Sequence, residues 1–160
     1  MTAQTTVERN VAHGSFTIER SYPDVAPHRV YEAFATEKGK DSWFSGPNDS
    51  WVRVERQFDF RIGGKERLVG KWADGRVTEF DATFWDIVPG ERIIYVYEMH
   101  LDGKKISVSL ATLEFKAHGA GTRFILNEQG AFLDGFEDGG GRERGTNELI
   151  DRLGAALKRA

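Results

Sequence analysis

The amino-acid sequence predicts an α+β fold in which a curved antiparallel sheet of about six to seven strands wraps around a long C-terminal helix. Consecutive segments in the middle of the chain alternate apolar and polar residues, as half-buried strands do. Turns that contain Gly or Pro, including the pairs Asp74-Gly75 and Asp102-Gly103, separate these segments, which indicates hairpin connections. The last segment changes to the spacing of an amphipathic helix. Because the strands follow one another instead of alternating with helices, an antiparallel sheet is favoured.

The N-terminal part predicts one strand and two short helices. Residues 1–13 are polar and show no periodicity, so we expect a disordered segment before a single domain of residues 14–160. Residues 15–22, SFTIERSY, alternate like a half-buried strand. Pro27 marks the start of a helix that breaks at Gly39, and a second helical turn is expected to carry Trp43 and Phe44.

Six strand segments and one helix complete the predicted fold. The first segment, WVRVERQFDF, places Val52, Val54, Phe58 and Phe60 on one face, with Arg56 as the only charged residue among them. The other segments are KERLVGKW, RVTEFDATFWDIV, ERIIYVYEMH, KKISVSLATLEFKA and TRFILNEQ. Residues 142–158 are predicted to form one helix that packs on the concave sheet through its leucines, Leu149, Leu153 and Leu157. A sheet curved around one helix can leave a cavity between them.

Composition excludes several classes of function. The net charge is −3 and the chain has no run of Lys or Arg, so a nucleic-acid partner is not expected. The chain has no Cys, which excludes disulfides and thiolate metal sites. No apolar run approaches the ~20 residues of a membrane span, and the N-terminus lacks the apolar stretch of a signal peptide. These features predict a soluble cytoplasmic protein.

Three stretches and the terminal helix occur in an order and spacing found in a known family. They are FDFRIGGKERL, WDIVPGERIIYVYE and GTRFILNEQGAFLDG, and the similarity extends over about residues 15–159. Together they resemble the heat-shock-protein-90 ATPase activator homologues within the START/Bet v 1 superfamily, also called the SRPBCC or polyketide-cyclase-like group. The resemblance implies a helix-grip fold.

The resemblance does not select one activity, because the superfamily includes lipid carriers, hormone receptors, cyclases, hydroxylase domains and co-chaperone domains. The eukaryotic co-chaperone has a separate N-terminal domain that contacts the chaperone. The 160 residues leave no room for such a domain, so we do not expect chaperone activation to be the main function.

The glycine-rich stretch GAFLDGFEDGGG, before the terminal helix, has three interpretations. Glycines before a helix can bind phosphate, but the acidic residues Asp134, Glu137 and Asp138 would repel it. The second interpretation is a mobile flap in which Phe132 and Phe136 reach into the cavity. The third is a fixed plug in which both Phe residues fill the core.

Ionisable residues provide one weak candidate for catalysis. The four His residues have no metal-ligand spacing and no Cys beside them, so neither a metal site nor a cofactor is predicted. Glu128 has the same parity as Phe124 and Leu126, and it is therefore expected to point toward the cavity. There it would act as an acid, a base or a ligand anchor, or else pair locally with Arg142 or Arg144.

Aromatic residues are the most informative set for function. The candidate ligand-binding residues are Trp43, Phe58, Phe60, Phe84, Tyr95, Tyr97, Phe132 and Phe136. Most of them also fit an ordinary core, but a buried Tyr hydroxyl needs a partner and can orient a ligand. The leading hypothesis is a binding protein for a small hydrophobic or amphipathic molecule. The alternatives are a cyclase or isomerase in which Glu128 works with Tyr95 or Tyr97, and an activator of the heat-shock-protein-90 ATPase.

Overall fold

A computed structural model describes residues 8–136 and 139–159 of the chain. In chain order, the elements are β1 (Val11–Tyr22), α1 (Pro27–Ala35), α2 (Glu37–Asp41), β2 (Trp51–Phe58), β3 (Lys65–Trp72), β4 (Val77–Val88), β5 (Arg92–Leu101), β6 (Lys104–His118), β7 (Gly121–Leu133) and α3 (Gly139–Arg159). The predicted α+β class and element order are confirmed.

All neighbouring strands of the sheet are antiparallel, in the order β1-β7-β6-β5-β4-β3-β2. Strands β2 to β7 form a meander, and β1 joins its far edge beside β7. The β3–β4 and β5–β6 turns place Gly75 and Gly103 at φ values of 94° and 81°, where a side chain would be strained. Glycine adopts these positive φ values without strain, which explains why an Asp-Gly pair occupies each of the two turns.

Helices α1 and α3 cover one face of the sheet and enclose the main core. Leu153 of α3, Val30 of α1 and Phe124 of β7 all have an exposed fraction of 0%. The Phe34 ring stacks on Phe124 at a centroid distance of 5.5 Å. Leu149 is only partly buried, whereas Leu153 and Leu157 are buried in this core, so the predicted packing face of α3 is confirmed. In the described part of the chain, no helix is long and apolar enough to cross a membrane.

Several element boundaries differ from the sequence prediction, mostly in the N-terminal part of the chain. Strand β1 begins at Val11, so residues 11–13 pair with β7 instead of being disordered; residues 1–7 of the predicted disordered segment lie outside the described residues. Helix α1 ends at Ala35, and Gly39 lies inside α2 because the Thr36 hydroxyl caps that helix by accepting from the Gly39 N–H. Trp43 and Phe44 follow α2 in a turn.

The predicted inward face of β2 is wrong for two residues. Val52 and Val54 are both 61% exposed. Val54 is the unpaired residue of a bulge between Arg53 and Glu55, and the bulge places Val52, which precedes it, on the opposite face from Arg56. After the bulge, Arg56 is buried as its position predicted, with a side-chain exposure of 6%.

Tyr22, at the end of β1, has a buried hydroxyl without a hydrogen-bond partner among the described residues. Burial raises the pKa of Tyr22 from 10.0 to about 12, with smaller contributions from Arg20, which lowers it, and Asp151, which raises it. The unfolded chain then loses the Tyr22 proton at a lower pH than the folded chain does. The contribution of Tyr22 to the free energy of unfolding therefore decreases as the pH rises from 10 to 12.

We therefore expect the parent to lose about 2 kcal/mol more stability than Tyr22→Phe across this alkaline interval. Urea unfolding at stepped pH measures the difference. At neutral pH Tyr22→Phe should be at least as stable as the parent, since Phe has no unpaired hydroxyl to bury. Parallel stability curves up to the alkaline end would contradict the assigned pKa of Tyr22.

Candidate ligand-binding cavity

A cavity of about 370 Å³ lies between the first half of α3 and the strands β3 to β5. Its sheet wall includes Leu68, Gly70, Phe80, Tyr95, Tyr97 and Met99 from these three strands, with Leu126 and Glu128 from β7. The volume is near the lower end of the range of about 300–1,000 Å³ that is usual for small-molecule sites.

The helix wall of the cavity is formed largely by small residues at the start of α3. Gly141, Gly145 and Thr146 line the space, and a Cβ atom at Gly145 would meet no heavy atom within 4 Å. Leu149 and Ile150 continue the wall toward the core. The cavity therefore exists partly because the sequence GGGRERGT gives this helix face few side chains.

The turn after α2 and the start of β2 close the third side of the cavity. The Trp51 indole lies against Gly70 and Gly46, and a Cβ atom at either glycine would overlap it. Trp43 is fixed beside it, because its indole N–H donates to the Ala33 carbonyl at 2.8 Å. This side of the cavity is therefore an aromatic wall whose position depends on two glycines.

One end of the cavity carries a buried polar cluster of Glu128, Tyr97, Arg142, Ser107 and Ser109. The Tyr97 hydroxyl donates to Glu128 Oε2 at 2.9 Å and accepts from Arg142 Nη1 at 3.0 Å. Arg142 also donates to Ser107 at 2.8 Å and to Ser109 at 3.3 Å. This cluster joins the start of α3 to three strands of the sheet.

Burial and the charges of the cluster together set the pKa of Tyr97. Burial raises the pKa of Tyr97 far above its usual value, the Glu128 carboxylate raises it further, and the Arg142 guanidinium opposes both. Tyr97 therefore keeps its proton at neutral pH and can donate to Glu128 while it accepts from Arg142.

A second polar cluster lies behind the aromatic wall, around Lys40 of α2. The Lys40 ammonium is 3.0 Å from Glu66 Oε1, with side-chain exposures of 3% and 1%. Arg56 binds the other oxygen, Glu66 Oε2, at 2.8 Å and Asp41 at 2.9 Å. Burial lowers the pKa of Lys40, and the charge on Glu66 opposes that shift.

Aromatic rings also surround the Lys40 ammonium. The centroids of Phe44, Trp43 and Tyr95 lie 4.6, 5.4 and 5.9 Å from Nζ, within the range of cation–π attraction. Lys40 also lines the cavity. A paired but buried cation therefore contributes to the edge of an otherwise apolar wall.

The candidate residues from the sequence divide between cavity and core. Trp43, Tyr95, Tyr97 and Glu128 line the cavity, and Glu128 points inward as predicted, with an exposed fraction of 4%. The other five predicted residues, Phe58, Phe60, Phe84, Phe132 and Phe136, do not line it.

These five Phe residues have other positions. Phe58, Phe60 and Phe84 pack on each other in the main core, with centroid distances of 5.0 to 6.3 Å. Phe132 is a buried residue of β7 whose ring lies 5.3 Å from the Arg142 guanidinium. Phe136 is 42% exposed.

The glycine-rich stretch is divided between three parts of the structure. Phe132 belongs to β7, a turn follows at Asp134 and Gly135, and Gly139 to Gly141 form the first turn of α3. Glu137 and Asp138, which were expected to repel phosphate, lie outside the described residues. Phe132 is held in β7 beside the Arg142 guanidinium and does not reach into the cavity, contrary to the flap interpretation. Phe136 is exposed and does not fill the core, contrary to the plug interpretation.

Several cavity residues were missed in the sequence. Lys40 looks like an ordinary surface residue of a helix, Arg142 was considered only as a local partner of Glu128, and Trp51 was read only as the start of a strand. The one signal was the charged Arg56 on a predicted inward face, which required a buried carboxylate partner.

The outer face of the sheet has a group that could hold a metal ion. Ligand atoms of Glu79, Asp81 and His100 lie within 4.8 Å of one another. Arg67 already binds both carboxylates, with Nη1 2.8 Å from Asp81 and Nη2 3.3 Å from Glu79. The Arg67 guanidinium therefore already balances negative charge of these carboxylates. None of the three residues lines the cavity.

Comparison with known proteins places this geometry in a family. The sequence profile described as Activator of Hsp90 ATPase homolog 1-like protein matches residues 24–158. A comparison with curated proteins found no match.

Solved structures from three bacteria are similar to this chain. A Rhizobium leguminosarum protein is 38% identical, with a TM-score of 0.90, over 96% of this chain and 99% of its own. The Mll3558 protein of Rhizobium loti is 41% identical, with a TM-score of 0.84, over 92% and 99%. The CV1439 protein of Chromobacterium violaceum is 21% identical, with a TM-score of 0.74, over 89% and 96%, and it supports the fold alone.

Proposed function

Since the chain belongs to the Activator of Hsp90 ATPase homolog 1-like family and has its START/Bet v 1 helix-grip fold, we propose that it binds a small amphipathic ligand between sheet and helix. The observation that carries this proposal is the cavity of about 370 Å³ itself. Protein interiors are close-packed and hold few voids larger than a water molecule. A space of this volume is therefore more than an ordinary gap in the core.

The chemistry of the cavity walls supports an amphipathic ligand. Leu68, Phe80, Leu126 and Leu149 offer apolar contacts, whereas the hydroxyls and the Arg142–Glu128 cluster lie toward one end. Mostly apolar sites with a few fixed polar groups are typical of small-molecule binding. The apolar part of the ligand would pack on the leucines and aromatic rings, and its polar part would face β5.

A proton-transfer enzyme of the cyclase or isomerase type is the second candidate. It is favoured by one observation, which is that the Tyr97 hydroxyl connects a carboxylate and a guanidinium at the cavity wall. In that function Glu128 would exchange a proton with a bound substrate and Tyr97 would hold the carboxylate in place. Activation of the heat-shock-protein-90 ATPase stays an alternative that no feature of the cavity addresses.

The binding proposal is tested with N-phenyl-1-naphthylamine, an uncharged apolar fluorophore. We expect about one molecule to bind per chain with a micromolar Kd, with quenching of tryptophan emission because Trp43, Trp51 and Trp72 line the cavity. Fluorescence titration at fixed protein concentration gives both the stoichiometry and the Kd.

A matched pair of variants locates the binding. Gly145→Leu adds a side chain at the cavity, where space is free, while Arg144→Leu adds the same side chain at an exposed position that does not line it. Gly145→Leu should weaken fluorophore binding several-fold, and Arg144→Leu should leave it unchanged. A parent protein that does not bind the fluorophore, or equal effects of the two variants, would contradict the proposal.

A further inference from the structure

The Tyr95 hydroxyl is the only tyrosine hydroxyl at the cavity wall that has no hydrogen-bond partner among the described residues. Tyr97, its neighbour on β5 at a ring distance of 5.9 Å, uses its hydroxyl in two hydrogen bonds. The Tyr95 ring packs against Phe80 and Tyr97, but its hydroxyl makes no hydrogen bond to any described residue. Its hydroxyl is therefore available to a ligand.

The position of Tyr95 makes this free hydroxyl a donor. Burial raises the pKa of Tyr95 well above its usual value, and the charges on Glu128 and Glu66 raise it further, so the proton stays on the oxygen. Unlike the Tyr22 oxygen, the Tyr95 oxygen is not sealed from the space around it. A donor that opens into the cavity gains a hydrogen bond when a ligand supplies the acceptor.

The charges around Tyr95 are already paired. Lys40, whose ammonium lies 5.9 Å from the Tyr95 ring, is bound to Glu66. At the other end of the cavity, Arg142 and Glu128 contact the same Tyr97 hydroxyl at 3.0 and 2.9 Å. A ligand with its own net charge would therefore add an uncompensated charge to a buried site, which is unfavourable.

We propose that the cavity selects a neutral ligand with a carbonyl oxygen, and that the Tyr95 hydroxyl donates a hydrogen bond to this oxygen. The inference rests on the proposed binding function and specifies its ligand class. Tyr95 is then a specificity-determining residue, while the apolar walls bind the rest of the molecule. The nearby Lys40 ammonium attracts the partly negative carbonyl oxygen. This attraction does not require the ligand to carry a full negative charge.

Three fluorescent naphthalenes test the ligand class on the unmodified protein. The first is the ketone 6-propionyl-2-dimethylaminonaphthalene, the second is its 6-propyl analogue without the carbonyl, and the third is the corresponding 6-carboxylate. We expect the ketone to bind about tenfold more tightly than the propyl compound, as one additional hydrogen bond of ordinary strength provides. The carboxylate should bind more weakly than the ketone.

Tyr95→Phe tests the donor, with Tyr31→Phe as the matched control in the core outside the cavity lining. Tyr95→Phe should abolish the preference for the ketone and shift the emission of the bound ketone to shorter wavelength, because its carbonyl loses a hydrogen bond. Binding of the propyl compound should stay the same, and Tyr31→Phe should behave like the parent.

The results separate this inference from the binding function. If the parent binds the ketone and the propyl compound equally, or if it prefers the carboxylate, the carbonyl inference is overturned and the binding function stands. The same holds if Tyr95→Phe retains the preference for the ketone. If the parent binds none of the three compounds, the binding function itself is overturned.

Discussion

Glu66→Gln is expected to destabilise the protein by about 3 to 5 kcal/mol, because it removes the carboxylate from two buried cations. Lys40 and Arg56 have side-chain exposures of 3% and 6%, and each donates to a different oxygen of Glu66. Glutamine has nearly the same shape, but it carries no negative charge and has only one oxygen. The two cations would then repel each other in a site with little water.

Lys40→Met is the matched substitution on the other side of the same ion pair. It leaves Glu66 bound to Arg56, and it places an apolar side chain of similar length among the rings of Phe44 and Trp43. Burial lowers the pKa of Lys40, which indicates that enclosing this ammonium costs free energy. We therefore expect Lys40→Met to cost less than half as much as Glu66→Gln.

Urea unfolding of both variants and the parent at neutral pH measures the two free energies. The order of the variants is the decisive result, since it depends on which partner is left uncompensated. Equal losses would mean that the contact itself, not the charge left behind, determines the stability. A loss below 1 kcal/mol for Glu66→Gln would mean that water reaches this cluster.

Local sequence patterns were sufficient to predict most of the fold. Alternation with a period of two, Asp-Gly turns and the leucine spacing of α3 are properties of short segments, and each survives unchanged in the folded chain. Val52 and Val54 are the exception. A bulge at Val54 displaced both from the predicted face, and alternation within a single strand contains no sign of it.

The cavity was less predictable, because it is defined by distances between segments that are far apart in sequence. The aromatic positions gave a correct inward face for Tyr95 and Tyr97, but they could not separate core from cavity wall. The difference comes from α3, where Gly141 and Gly145 leave space above β4 and β5. In the sequence, Gly141 belongs to the stretch for which a phosphate site, a flap and a plug were considered, and Gly145 lies inside the predicted helix.

Arg142→Met is expected to destabilise the protein by about 2 to 4 kcal/mol, somewhat less than the loss of a fully buried ionic partner because Arg142 is only partly buried. Its guanidinium donates to Tyr97, Ser107 and Ser109, and it lies 5.3 Å from the Phe132 ring. Methionine retains the apolar contact with that ring but leaves the three hydroxyls without this donor.

Two further substitutions separate the role of Arg142 from a general effect of charge on α3. Arg144→Met, at an exposed position two residues later, should change the unfolding free energy by less than about 0.5 kcal/mol. Arg142→Lys keeps the charge but cannot reach several hydroxyls with one planar group, so its loss should lie between the other two. If the loss for Arg142→Met matches that for Arg144→Met, the polar cluster does not anchor the start of α3, and the cavity wall that this helix forms must be held by the leucines alone.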